Sequence, residues 1–113
     1  MSWQPEVDEL ERRRRMALEM GGAEGVARQH AKGRLTVRER IAALADPESF
    51  QEIGTCFGQA EYDEAGVLQH FTHVSRVIGT CRLAGRQVTL DAGDFTIRGG
   101  WADPTSFVGA GRF

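Results

Sequence analysis

A chain of 113 residues is one domain's worth of sequence, and folding alone at this size buries roughly two-thirds of the surface, enough for a modest core. Hydrophobic residues make up 41% and charged residues 27%, and a net charge of −2 excludes a global electrostatic pull toward nucleic acid or an anionic membrane. No apolar run approaches the ~20 residues that span a bilayer, the N-terminus lacks the apolar centre of a secretory signal, and Cys56 and Cys81 have no CxxC spacing, so a disulfide framework and a four-cysteine zinc ribbon both lack support. A reducing cytoplasm is the expected compartment, with no nucleic-acid or membrane partner.

In chain order, PEVDELERRRRMALEM predicts a helix over 5–20, with Pro5 in the first turn, where its missing N–H is harmless. Val7, Leu10, Ala17 and Met20 make a narrow apolar stripe, while Asp8 with Arg12, Glu9 with Arg13 and Glu11 with Arg15 have the i,i+4 spacing of ion pairs. The run Arg12 to Arg15 reads either as a nucleic-acid patch or as a solvated helical face. Interleaved acids and the lack of an aromatic companion favour the solvated face. Gly21 and Gly22 end this helix, and a loop or short helical turn is expected next. TVRE then forms a capping box, Thr36 and Glu39 each accepting from the other's amide. It predicts a helix over 36–45, with Val37, Ile41 and Leu44 on one face and Asp46-Pro47 as its stop. SFQEIG predicts a short strand at 50–53 anchored by Phe50 and Ile53, and the stretch 54–69, with Gly58, Asp63, Glu64 and Gly66, predicts a loop.

HFTH invites a metal reading of His70 and His73. Strand alternation, however, puts the two rings on opposite faces with no third ligand near in sequence, so both read as structural and no metal site is assigned. His30, alone in a polar stretch, reads the same way. Cys81 falls inside an alternating strand and reads as a small core residue; Cys56 becomes a nucleophile only with a base close in space. In RVIGTCRLAGRQVTLDAG, period-two alternation on both sides of Ala84-Gly85 predicts a hairpin with strands at 74–83 and 87–95. One face, carrying Val77, Gly79, Cys81, Leu83, Val88, Leu90 and Ala92, is the more apolar and has to pack against a helix or a second sheet. Asp94 to Ile97 lead into Gly99-Gly100, a pair that either makes a turn or lets a ligand approach the backbone. Residues 101–113 form a tail.

The phrases KGRLTxRERI, DPxSFxEIG and DFTxRGG, in this order between Gly21 and Gly100, resemble the N-terminal region of the carboxyltransferase β-subunit of biotin-dependent acyl-CoA carboxylases, the propionyl-CoA and methylcrotonyl-CoA carboxylase type. The resemblance implies an α+β fold: two N-terminal helices, then a β-hairpin that is the first ββ pair of a crotonase-like ββα superhelix, incomplete in this sequence. In that family a carboxyl group passes between carboxybiotin and the α-carbon of an acyl-CoA. The glycine-rich oxyanion-hole phrases of the family lie downstream of DFTxRGG and are not found here, so no catalytic residue is assigned and the segment is expected to be inactive by itself. Trp101 also stands where the family commonly places a small residue.

What the resemblance offers as a site is Arg98, Gly99 and Gly100, lining a CoA entrance, with the glycines admitting close approach and the arginine able to meet a phosphate. The implied substrate is an acyl-CoA, and biotin is carried on a partner. The implied partners are a biotin carboxylase and carrier subunit, and either self-association or a carboxyltransferase partner chain. The alternative is a non-catalytic assembly or interaction protein derived from that family.

Overall fold

The computed structural model describes residues 1–100, so the expected tail at 101–113 lies outside the described residues. Three helices come first: α1 at Gln4–Leu18, α2 at Gly22–Ala31 and α3 at Val37–Leu44. Five strands follow, β1 at Gln51–Ile53, β2 at Gly58–Tyr62, β3 at Leu68–His73, β4 at Arg76–Leu83 and β5 at Arg86–Gly93, and a 3-10 turn at Arg98–Gly100 closes the described chain. Among the described residues no helix is long and apolar enough to cross a membrane.

The strands make two sheets. In the first, β4 lies between β1 and β5 and is antiparallel to both, with Ile78 opposite Ile53 and Asp91. The second is the β2–β3 pair, in register from Gly58 opposite His73 to a bulge at Glu61/Tyr62. Being central, β4 is buried on both sides over Val77, Ile78 and Gly79, so Ile78 belongs to the interior together with the Val77 face. In β5 the alternation holds, with Val88, Leu90 and Ala92 partly buried and Gln87, Thr89 and Asp91 exposed.

Helix α3 supplies the cover that the hairpin needs. Its capping box is complete, Glu39 N donating to Thr36 Oγ1 at 3.3 Å and Thr36 N to Glu39 Oε1 at 2.9 Å. Val37 and Ile41 pack with Val77, and Met20, Phe50, Leu90 and Ala92 close the cluster. Burying each such aliphatic side chain contributes about 1.5–3 kcal/mol. Leu44, expected on the same face, is exposed instead, because Ala45 is already extended and the chain turns there toward the β4–β5 loop.

Two expectations about secondary structure need correction. Residues 54–69 are no loop: β2 occupies 58–62, and β3 begins at 68. GQAEY carries almost no apolar alternation and is half exposed, so its strand state comes from pairing with β3, which buries Leu68 and Phe71. The segment after Gly21 is a ten-residue helix, α2, in place of a loop or single turn. Its glycines obscure its helix propensity, and Gly25 is used for packing against Thr96.

The arginine run is also only partly solvated. Arg12 Nη2 donates to the Leu68 carbonyl at 2.6 Å, and Arg13 donates to the Tyr62 hydroxyl while its guanidinium lies over the Tyr62 and Phe71 rings at 5.8 and 5.6 Å. These contacts dock α1 on the β2–β3 sheet and take the place of the expected pairs with Asp8 and Glu9. Arg14 pairs with Glu11 at i,i+3.

Candidate ligand-binding site

The chain leaves β5 through a turn built on a buried carboxylate. Asp94 N donates to the Ser75 carbonyl at 2.8 Å, and Asp94 Oδ1 accepts from Thr96 N at 2.9 Å and Thr96 Oγ1 at 2.6 Å. The Thr96 hydroxyl in turn accepts from Gly21 N at 2.9 Å, tying the turn to the α1–α2 junction. The approach is so close that a Cβ on Gly21 would lie 1.8 Å from the Thr96 carbonyl oxygen. Ile97 is buried beneath this turn, and Gly100 N donates to its carbonyl at 2.9 Å.

Beyond Ile97 the backbone passes through two left-handed positions, Gly99 at φ 61° and Gly100 at φ 83°. Residues with a Cβ rarely adopt either, and a Cβ on Gly100 would also strike the Phe95 ring at 2.8 Å. Gly99 is exposed and Gly100 half-buried, so the turn presents backbone to solvent. The three residues Arg98, Gly99 and Gly100 therefore sit together in one turn at the end of the described chain.

Beside Phe95 opens a shallow cavity of about 380 Å³ lined by Gln29, Arg34, Leu35, Arg40 and Phe95. Gln29, on α2, donates through Nε2 to the Leu35 carbonyl at 3.1 Å and holds the α2–α3 loop in place. Arg40, on α3, donates to the Gly93 carbonyl at 2.7 Å and lies 5.9 Å from the Phe95 ring centre. Among the described residues the Arg34 guanidinium makes no hydrogen bond. Two guanidinium groups and an exposed aromatic ring suit an anion joined to a flat ring system: planar donors meet phosphate oxygens, and the ring offers a stacking face. Arg34, Arg40 and Phe95 were not singled out by sequence reasoning. Their available signal was the two arginines bracketing the capping box in KGRLTVRER.

The histidines go elsewhere. His70 is exposed, whereas His73 is buried with Nδ1 2.7 Å from the Val74 carbonyl oxygen, Nε2 3.1 Å from that of Gly54 and 3.7 Å from Glu52 Oε1. His73 thus braces β3 against the end of β1, next to the two-bond Arg38–Glu52 pair at 2.9 and 3.0 Å. His30 lies on α2 and contacts Glu39 Oε1 at 2.6 Å. That contact, followed by the Thr36 amide and hydroxyl, holds the Glu39 carboxyl at about 2, below its ordinary 4.5. Cys56 is half-buried, Cys81 is buried in β4, and both are free thiols.

Residues 28–108 match the carboxyl transferase domain family, so the chain belongs to that family. It is 39% identical over 95 residues to the mitochondrial propionyl-CoA carboxylase beta chain of Homo sapiens, covering 82% of this chain and 18% of that one. To the methylmalonyl-CoA carboxyltransferase 12S subunit of Propionibacterium freudenreichii subsp. shermanii it is 36% identical over 106 residues, 88% of this chain and 19% of the other. A crystal structure of transcarboxylase 12S, a hexamer with methylmalonyl-coenzyme A and methylmalonic acid bound, superimposes with a TM-score of 0.77 at 29% identity over 97% of this chain and 22% of that one. The chain thus spans about a fifth of the length of these relatives, as a segment of a crotonase-like carboxyltransferase domain.

Proposed function

We propose that this segment forms the CoA-binding edge of an acyl-CoA carboxyltransferase, with Arg98, Gly99 and Gly100 as the rim and the adjoining Arg34–Arg40–Phe95 cavity receiving the phosphate and flat-ring end of the CoA. The observation that carries the reading is the placement of two guanidinium groups and an exposed ring directly beside the left-handed glycine turn. The segment's role is to bind and orient. Arg34 and Arg40 meet anionic oxygens, while Gly99 and Gly100 expose backbone along which an extended pantetheine arm can lie. The carboxyl group itself arrives on biotin held by a carrier subunit charged by a biotin carboxylase, and is transferred to the acyl α-carbon at oxyanion holes outside residues 1–100. A further carboxyltransferase chain completes the assembly. Two free thiols suit a reducing compartment such as the cytoplasm.

Titration calorimetry with propionyl-CoA tests the reading. Saturable binding is expected, weakened about tenfold or more by Arg34→Ala, since a hydrogen bond to a charged group contributes about 1.5–3 kcal/mol. Propionyl-pantetheine, which lacks the nucleotide, should be insensitive to that substitution. Absence of binding at millimolar propionyl-CoA overturns the proposal.

A further inference from the structure

Of the five described residues that line the Arg34–Arg40–Phe95 cavity, Gln29 alone is buried, at 9% exposed. Its backbone is fixed as well, the Gln29 carbonyl accepting from Lys32 N at 3.3 Å and Arg34 N at 3.2 Å where α2 ends. A buried carboxamide has two ends to satisfy, a donor and an acceptor. The end that meets the Leu35 carbonyl at 3.1 Å has to be Nε2, because two oxygens would repel there, and this contact orients the amide. Oε1 is then the other end, and among the described residues no donor reaches it. Nor is it sealed inside the protein: the fully buried side-chain polar atoms without a partner among the described residues are Nε of Arg13 and Nε of Arg38. Bracing the α2–α3 loop uses the donor only, so a fixed acceptor is left over on the cavity wall.

We propose that Gln29 reads the base of the CoA, its Oε1 accepting from the exocyclic amino group of the adenine. The inference rests on the CoA reading above and adds base specificity to it. The other walls are indifferent to the base. Arg34 and Arg40 meet phosphate whichever nucleoside carries it, Phe95 stacks on any flat ring, and Leu35 offers apolar surface. Gln29 Oε1 differs from them in being an acceptor that only an N–H or O–H satisfies. Adenine brings such an N–H on its amino group. A base without it covers Oε1 and leaves it unpaired, which costs more than the contact itself contributes. Gln29 is thus a specificity-determining residue for the nucleotide end of the substrate, remote from the reacting carbon.

Titration calorimetry of the whole chain provides the test, comparing propionyl-CoA with its purine-riboside analogue, in which hydrogen replaces the adenine amino group. The wild type should bind propionyl-CoA about tenfold more tightly than the analogue. Gln29→Met, with circular dichroism verifying its helix content, should bind the two alike, whereas Arg34→Ala should weaken both and keep the preference. That ratio is the readout a purely structural role for Gln29 leaves unmoved. In the wild type at saturation, the Gln29 side-chain amide resonances should shift further with propionyl-CoA than with the analogue, a comparison that needs no variant to fold. Equal wild-type affinities or equal resonance shifts overturn the assignment and leave the CoA reading standing. A preference that survives in Gln29→Met overturns it too. Failure of both ligands to bind at millimolar concentration overturns the CoA reading itself, and the role of Gln29 with it.

Discussion

Gly21 and Thr96 are 75 positions apart, yet their contact decides whether the glycine turn has a foundation. Substituting Gly21→Ala drives a methyl group into the Thr96 carbonyl, and an overpacked site of this kind costs about 1–3 kcal/mol. The loss should appear as a lower denaturation midpoint with an unchanged slope. Gly93→Ala, where a Cβ meets nothing within 4 Å, is the matched control and should stay within about 0.5 kcal/mol of the parent. Glu39 gives a pH prediction. Its folded-state value is depressed, so its contribution to stability is complete above the unfolded value of 4.5 and is lost as the pH falls toward about 2. The difference in Tm between the parent and Glu39→Gln should therefore shrink as the pH falls through that window.

Among the elements, the β4–β5 hairpin is pinned from outside its own sequence. Asp46, just after α3, accepts from Ala84 N at 3.0 Å and Gly85 N at 2.8 Å, while its amide donates to the Arg82 carbonyl at 2.8 Å. Asp46→Ala should destabilise the fold by about 1–2 kcal/mol and speed amide exchange at Ala84 and Gly85 before it does so in mid-strand. Both turn residues are left-handed, Ala84 at φ 50° and Gly85 at φ 81°, as a two-residue hairpin loop of the primed type requires. Alanine is strained there. Ala84→Asn should raise stability by about 0.5–1 kcal/mol in thermal melts, since asparagine tolerates the left-handed region.

At the level of the whole molecule, α1 is the strap between two sheets. Its arginines hold β2–β3, and just past its end Met20 joins the core of β4, β5 and α3 while Gly21 meets the Thr96 turn. Arg13→Ala removes a hydrogen bond and two ring contacts and should cost about 1–2 kcal/mol. Amide exchange should accelerate from Ala60 to Phe71 and remain slow at Val77 and Cys81. Uniform acceleration in both sheets would contradict the strap.

The sequence by itself determined whatever rests on neighbours a few residues apart. The Thr36–Glu39 capping box, the Ala84-Gly85 hairpin, the stop at Asp46-Pro47 and the ordered phrases of the carboxyltransferase family all have local spacing as their signal. The tertiary structure alone decided where long side chains spend their hydrogen bonds. Arg12 and Arg13 read as solvated until β2–β3 came to lie beneath them, β2 carried no strand pattern apart from its partner, and Asp94 became the foundation of the glycine turn through Ser75 and Thr96. The CoA-site candidate divides the same way. Arg98, Gly99 and Gly100 were legible as a phrase, but the Arg34–Arg40–Phe95 cavity was not. Its walls come from α2, α3 and the turn after β5, and the chain has to fold before those side chains share a surface.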